Sequence, residues 1–395
     1  MQRQRWIILA VLSLARIAMA FQFQTIGSVG PLLVDQLDIE YSQVGTLIGL
    51  YLLPGVVVAL LGGLFGQQYG AKRIVVIGLA LMIGGGFLTG VSPSFHIIAI
   101  GRFISGSGAV LMNVMVTKMV ADWFSDRKVT TAMAILISSW PLGIGLGLIL
   151  DPGVAAKYSW TTVMYLATVL PLISMALVVI IYRDPPMSMV SASPNFGFNL
   201  TGYELRLTLL AGAIWTAYNV GYVVLVSFVP EFFTTQGYSL AQGGWITSML
   251  SWLLIPMIVI GGYVAEKIGR PTLLMAGGFM VTALAGVLLP VTDSPAGLFV
   301  LTALAAGLPA GLIMALPAKL LRPQSRAAGM GVYFTCYYAG LAFLPALAGM
   351  LRDMTRSSIA PILFSSAMMV CSLMFLAAFR VLERPAISSA APDLS

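Results

Sequence analysis

Twelve apolar blocks, most of them about 20 residues long or longer, recur along the whole chain between short polar breaks. They run roughly over 6–34, 42–68, 73–92, 95–121, 129–150, 160–182, 205–230, 241–265, 272–291, 296–320, 327–351 and 358–381. At about 1.5 Å per residue, twenty helical residues cross the ~30 Å hydrocarbon core of a bilayer. Backbone in lipid can satisfy its own polar groups only as a helix or a closed barrel. Blocks of this length predict helices, so the expected fold class is all-α: a polytopic membrane protein of twelve transmembrane helices. A 9% share of charged residues beside 59% hydrophobic ones agrees, since soluble domains carry about 25% charge. Pro54, Pro141, Pro171, Pro256, Pro309 and Pro345 fall inside the blocks, where proline is tolerated and kinks the helix.

Lys and Arg set the expected orientation. With the N-terminus cytoplasmic, inner loops and helix ends hold fifteen cations: Arg3, Arg5, Lys72, Arg73, Arg127, Lys128, Arg183, Arg206, Lys267, Arg270, Lys319, Arg322, Arg326, Arg380 and Arg384. Outer loops hold three, Lys157, Arg352 and Arg356. They carry acids instead: Asp35, Asp38, Glu40, Asp151, Glu231, Asp293 and Asp353. The net charge of +7 is thus an inside-positive signature and not a nucleic-acid patch. Both termini are expected in the cytoplasm and the chain in the plasma (inner) membrane. Arg3 and Arg5 ahead of an apolar run ending in Ala18-Met19-Ala20 have the outline of a cleavable signal. Arg16 inside that run argues against one.

The longest break, Arg183–Glu204, is rich in Pro, Ser and Asn and separates six blocks from six. The expected division is a six-helix bundle over 1–184, a cytoplasmic linker over 185–203, a second bundle over 204–382 and a tail over 383–395. The halves read as repeats. Gly62-Gly63-Leu-Phe-Gly-Gln67-Gln68-Tyr-Gly70-Ala-Lys72-Arg73 ends the second block, and Gly261-Gly262-Tyr-Val-Ala-Glu266-Lys267-Ile-Gly269-Arg270 ends the eighth, 199 residues later. Repeats with matching positions mark secondary transporters.

Three cations fall inside blocks: Arg16, Arg102 and Lys118. Arg16 lies about ten residues, or roughly 15 Å, into its helix, near the bilayer middle. A cation there costs at least about 2.5–3.5 kcal/mol, so it must face protein, water or ligand. The blocks as drawn enclose no deep Asp or Glu, which leaves neither arginine an obvious carboxylate partner. A bound anion would offset the cost, and the guanidinium fork suits a carboxylate or oxyanion. The alternative for Arg102 and Arg16 is hydrogen bonding to backbone carbonyls of a neighbouring helix. Lys118 is near the inner end and is expected to snorkel.

This arrangement resembles the major facilitator superfamily over nearly the whole chain. The family's signature between spans 2 and 3 is Gly-x-x-x-Asp-Arg-x-Gly-Arg-Arg/Lys. Gly63, Gly70 and Lys72 match it, while Gln67 and Gln68 replace its acidic and basic positions. The second copy retains Gly262, Glu266, Lys267, Gly269 and Arg270. The resemblance implies a conformational latch at Gly63, Gly70, Lys72, Glu266, Lys267, Gly269 and Arg270 that holds the cytoplasmic side shut, with Gln67 weakening the first copy. Gly101-Arg102-Phe-Ile-Ser105-Gly106-Ser-Gly108 is similar to the family's span 4 pattern. Arg16 followed by Gly27-Ser28-Val29-Gly30-Pro31-Leu32-Leu33 resembles the cyanate-permease-like branch, without fixing a substrate.

The resemblance also implies two pseudo-symmetric six-helix bundles, with spans 1, 4, 7 and 10 lining a central cavity. Helical spacing puts Arg16, Ala20, Phe23 and Gly27 on one stripe and Arg102, Ser105, Gly106, Ala109 and Asn113 on another. In the seventh block Trp215, Tyr218, Asn219 and Tyr222 fall at i, i+3, i+4 and i+7, and the eleventh carries Tyr333, Tyr337 and Tyr338. Such stripes serve either helix packing or a ligand. Asn219 favours the cavity, because an amide facing lipid is unsatisfied. The expected substrate-binding residues are Arg16, Phe23, Arg102, Asn113, Trp215, Tyr218, Asn219, Tyr222 and Tyr337. Trp140 and Gly143, Gly145 and Gly147 read as close helix packing.

The expected function is transport of a small anion, a carboxylate or inorganic oxyanion, by alternating access. With no protonatable acid or histidine evident in the pathway, exchange or uniport is favoured. One alternative is a carrier of neutral or weakly basic compounds, of the drug-efflux type, with both arginines structural. Another is a non-transporting ligand sensor, disfavoured by the short tail Glu383–Ser395. Cys336 and Cys371 lie in apolar blocks and His96 is the one histidine. That leaves no disulfide framework, metal cluster or nucleophile–base set, so no enzyme, cofactor or metal is expected. The expected partners are the anion and the lipid bilayer, with no nucleic acid and a monomeric chain.

Overall fold

A computed structural model describes residues 2–59, 70–124, 128–184, 200–322 and 324–383. It is helical, with no strand among the described residues. In order the helices are α1 (Gln2–Ser28), α2 (Gly30–Leu37), α3 (Tyr41–Leu52), α4 (Ala71–Val91), α5 (Phe95–Trp123), α6 (Val129–Lys157) and α7 (Trp160–Ile181). Then come α8 (Gly202–Thr235), α9 (Leu240–Ile268), α10 (Pro271–Leu288), α11 (Pro295–Met314), α12 (Leu316–Leu320), α13 (Arg326–Thr355) and α14 (Ala360–Glu383). Twelve segments are long and apolar enough to cross a membrane. The chain therefore reverses at alternate ends of the bundle. The end holding residues 38–40 and 157–159 is called the far end here; the start of α1 and the end of α14 lie at the other.

Local chemistry sets the boundaries. Reciprocal capping boxes start α3 (Glu40 with Gln43), α8 (Thr201 with Glu204) and α9 (Ser239 with Gln242), each satisfying orphan N–H groups of a first turn. Pro54 ends the regular part of α3: Leu53 and Pro54 form a turn, and helix resumes over 55–59. Gly70 (φ 81°) precedes α4 and Gly269 (φ 69°) ends α9. These two glycines occupy equivalent places in the sequence repeat, and both take a backbone conformation that side-chain-bearing residues avoid.

Two boundaries differ from the sequence reading. The first block ends as a helix at Ser28, and α2 restarts at Gly30-Pro31, where proline suits a first turn. The fifth block does not stop at 150. α6 runs through Asp151-Pro152-Gly153 to Lys157, so Asp151 is inside a membrane helix and fully buried. A polar Asp-Pro-Gly triplet looks like a turn locally, but packed neighbours hold it as helix.

Glycines let the helices meet backbone to backbone. Within the first half, a Cβ on Gly108 would collide with the Gly78 carbonyl across α4 and α5. Between halves, Gly45 and Gly49 of α3 press on the carbonyls of Pro345 and Ala342 in α13. Gly244 of α9 presses on the Leu148 carbonyl of α6. Two polar links join the same faces. Gln24 of α1 donates from Nε2 to the Val226 carbonyl of α8 (2.9 Å). Asp353 accepts from the Tyr41 and Ser42 N–H groups (3.0 and 2.8 Å). The contacts between the halves lie in the part of the bundle towards the far end and close it.

Candidate functional site

The two membrane arginines have different surroundings. Arg102 of α5 is 1% exposed. Its Nε donates to the Leu47 carbonyl (3.1 Å), and its two terminal nitrogens donate to the carbonyls of Gln22 (2.8 Å) and Phe23 (3.0 Å). The guanidinium carbon lies 4.4 Å from the centre of the Tyr51 ring. Three carbonyls and one π-face from α1 and α3 thus occupy Arg102, which pins three helices of the first half together. This is the carbonyl-bonded alternative left open by the sequence. The structure does not bring Arg102 to Arg16 as a second anion ligand.

Arg16 of α1 is half-buried, and its Nε is buried with no hydrogen-bond partner. Among the described residues no carboxylate pairs with it. Its electrostatic neighbours are Tyr337 and Tyr338 of α13, from the opposite half. Those two rings sit 5.0 Å apart. Tyr338 packs on Gly55, where any Cβ would strike the ring, and its hydroxyl faces Asn113 of α5. Tyr337 stacks on Trp215 of α8, centroid to centroid 6.1 Å at 30°. Trp215 also stacks on Tyr218 (5.8 Å) and Tyr333 (6.4 Å).

Arg16, Asn113 and Trp215 therefore converge on one tyrosine pair at the junction of the halves. Each carries a buried polar atom without a partner: Arg16 Nε, Asn113 Oδ1 and Trp215 Nε1. Buried polar atoms are usually satisfied, so a cluster of unmet ones calls for an explanation. The set offers two N–H donors, one of them charged, beside a wall of stacked rings.

The other expected ligands are engaged by protein partners. Phe23 is 1% exposed and packs between Tyr51 (5.8 Å) and Trp140 (5.3 Å). The Tyr218 hydroxyl donates to the Ala306 carbonyl (2.7 Å). Asn219 Nδ2 returns to the Trp215 carbonyl in its own helix (2.8 Å), which satisfies the amide without a ligand. Tyr222 shares a hydrogen bond with Ser251 of α9 (2.9 Å). The helical spacing puts Trp215, Tyr218, Asn219 and Tyr222 on one face of α8, but that face packs on α9, α11 and α13 as well as on the site.

Of the expected latch, Gly63 and the substituted Gln67 and Gln68 lie outside the described residues. Lys72 donates to the carbonyls of Val179 (3.0 Å) and Tyr182 (2.8 Å). It caps the end of α7 inside its own half, as a cation favours a helix C-terminus. Glu266, Lys267, Gly269 and Arg270 are exposed at the end of α9. Lys118 pairs with Asp122 one turn on (2.8 Å).

Three features escaped the sequence reading. Asp151 is a deep acid that the Asp-Pro-Gly triplet disguised. Glu231 of α8 binds Arg352 of α13 (2.7 Å), with the Arg352 guanidinium 4.6 Å from the Tyr41 ring. Glu204 binds Arg322 (2.9 Å) and the Ser325 hydroxyl (2.8 Å), so the capping acid of α8 also holds the start of α13. At the exposed Arg322, the bonded Glu204 carboxylate holds the guanidinium proton even more firmly than usual.

Comparisons with known proteins place this geometry. The Major Facilitator Superfamily profile matches residues 12–344 and 207–393. A 3-(3-hydroxy-phenyl)propionate transporter of Escherichia coli is 28% identical over 76% of this chain and 74% of its own length. A hexuronate transporter of Bacillus subtilis is 22% identical over 61% of this chain, and the match spans only 60% of that relative. The quinolone resistance protein NorA of Staphylococcus aureus is 26% identical over 49% of this chain and 54% of its own length. A bacterial homologue of the human lysosomal transporter Spinster, solved inward-facing and unoccupied, has the same fold: TM-score 0.76 at 15% identity, covering 100% of both chains. The chain belongs to the Major Facilitator Superfamily.

Proposed function

We propose that this chain carries a small organic anion, a carboxylate with a short planar or apolar body, by alternating access between its two halves. The observation that carries the reading is the unpartnered Arg16 guanidinium facing Tyr337 and Tyr338 from the opposite half. A carboxylate there would meet a charged fork, the Trp215 indole N–H and the tyrosine hydroxyls. Its body would lie along the Trp215–Tyr337 stack. Relatives named for a hexuronate and for a hydroxyphenylpropionate support a carboxylate over an inorganic oxyanion. The site touches both halves, so a ligand bound there is sensitive to their relative movement.

The surrounding assignments belong to the same reading. The halves are 1–184 and 204–382, joined by a 185–203 linker. The fifteen-to-three cation bias supports cytoplasmic termini in the plasma membrane, and the closed far end is then the outer one. The working unit is a monomer. The likeness to the cyanate-permease-like branch rests on Arg16 and the Gly27–Leu33 run. Exchange or uniport was favoured for want of a deep acid, and buried Asp151 removes that ground.

The stacked ring wall favours a second reading, a carrier of planar drug-like compounds, as the similarity to NorA suggests. A thermal-shift screen separates the two. Small carboxylates, their neutral amides and planar cations are added to the purified protein and to Arg16→Gln. A bound ligand stabilises by an amount set by its concentration over Kd. Carboxylates should stabilise the wild type and lose that effect in Arg16→Gln. Stabilisation by cations alone, unchanged in the variant, would overturn the anion reading.

A further inference from the structure

Asp151 has no part in the site above. It is fully buried in α6, and neither of its oxygens has a hydrogen-bond partner. Two more unmet polar atoms lie with it, the Ser28 hydroxyl and Gln24 Oε1, both on α1. Gly147 supplies the room: Asp151 Oδ2 and the Gln24 Cβ and Cγ approach to 3.2, 3.2 and 3.3 Å of where its Cβ would stand. Among the described residues, the polar side chain that bears directly on the carboxyl is Ser28.

Among the described residues, no cation acts on the carboxyl. α1 contributes Gln24 and Ser28. α9 brings Gly244 against Leu148 and Pro152 on either side of Asp151. α8 contributes Val226, bonded by Gln24, and Ser227, which packs on Gly27. The charged groups nearest on these elements and on α5 are placed elsewhere: Glu231 is bound by Arg352, Lys157 lies against the Tyr158 ring at the exposed helix end, Arg102 is held by the Leu47, Gln22 and Phe23 carbonyls, and Arg16 is about 18 Å along α1 from Ser28. An ionised carboxylate in so dry a place is very costly, and a neutral one is not. Gln24 Oε1 is an acceptor lacking a donor, which a carboxylic acid O–H would supply.

We propose that Asp151 is a proton-binding site that sets whether the far end can close. The carboxyl sits behind the Gln24–Val226 bond, between α1 and α6 of one half and α8 and α9 of the other. Separation of the halves there breaks that bond and wets the carboxyl, which can then ionise. Closure returns it to a dry seam that accepts only the protonated form. Each closure thus takes one proton from the far side, and substrate movement through the Arg16 site is linked to it. The link to substrate rests on the transport reading; the proton site does not.

The test reads the far end itself. Spin labels at Tyr158→Cys and Met354→Cys, exposed positions on opposite halves, report the gap by distance measurement in lipid nanodiscs without substrate. A single linked proton changes the closed-to-open ratio by about tenfold per pH unit once the wetted carboxyl ionises. The wild type should open as pH rises. Asp151→Asn, permanently neutral, should stay closed across the range, and Asp151→Glu should restore the pH dependence. Equal pH profiles in wild type and Asp151→Asn would overturn the proposal. So would opening that follows sodium concentration at fixed pH. Because no substrate is added, failure here is distinct from failure of the carboxylate screen.

Discussion

Asp353 of α13 caps the helix that Tyr41 begins in the opposite half of the molecule. Its two oxygens accept from the Tyr41 N–H at 3.0 Å and the Ser42 N–H at 2.8 Å. A first turn has orphan donors and a positive dipole end, so an external carboxylate serves it well. This cap exists only while the far end is closed, which makes it part of the closure and not only of α3. The Glu231–Arg352 pair beside it adds a second tie to α13.

Asp353→Ala should therefore favour the open far end. Loss of a capping carboxylate costs about 1–2 kcal/mol, equivalent to a roughly 5–30-fold change in an equilibrium. Distances between labels at Tyr158 and Met354 should shift towards the open population by that factor. Asp353→Asn, which keeps one acceptor, should shift them less. An unchanged distribution in Asp353→Ala would show that the glycine contacts alone hold the far end.

Arg16 and Arg102 should separate cleanly in mutagenesis. Arg102→Gln strips charged donors from three carbonyls and a cation from Tyr51. The expected loss is on the order of 3 kcal/mol of stability, since hydrogen bonds to charged groups contribute about 1.5–3 kcal/mol each. Arg16→Gln removes a half-buried cation whose Nε has no partner and should leave the melting temperature equal or higher, while abolishing stabilisation by carboxylates. Melting curves with and without ligand read both effects. A large stability loss in Arg16→Gln would mean that it, too, is structural.

The contrast between these arginines explains what the sequence could convey. Span number, fold class and the twofold repeat were legible because bilayer thickness forces about twenty apolar residues per crossing. The matched glycines 70 and 269 marked the repeat directly. The depth of Arg16 and Arg102 was equally legible, but their partners were not. Carbonyls of Gln22, Phe23 and Leu47 bring no side-chain signal, so a pinned arginine and a free one read alike. Asp151 failed differently: a local Asp-Pro-Gly pattern predicts a turn, and only packing against α1 and α9 overrides it. The aromatic stripe of α8 was found, yet its hydroxyls meet Ala306 and Ser251, partners far away in sequence.

The α3–α13 seam admits no side chain at Gly49, where a Cβ would collide with the Ala342 carbonyl. Gly49→Val should force the two helices apart. Because these helices join the halves, the strain falls on closure of the far end, and the open population should grow. Gly84, with nothing within 4 Å of its Cβ position, is the control. Gly84→Ala should be neutral or stabilising by up to about 1 kcal/mol, the usual gain for alanine over glycine in a helix. Label distances and melting temperature together separate a blocked seam from general damage.

Trp215 has two separable roles in the proposed site. Its ring stacks on Tyr337, and its indole N–H is buried without an acceptor. Trp215→Phe keeps the stack and deletes the donor. A hydrogen bond to a charged group is worth about 1.5–3 kcal/mol, so carboxylate affinity should fall roughly 10–150-fold. The neutral amide of the same compound offers the indole a weaker acceptor and should lose less. Trp215→Ala also removes the ring, a stacking loss of about 0.5–1.5 kcal/mol that carboxylate and amide should share. Titration calorimetry of both ligands against both variants reads the two terms separately. Equal losses of carboxylate and amide in Trp215→Phe would show that the indole N–H does not meet the charged group. Arg16 would then be left as the anion's principal donor.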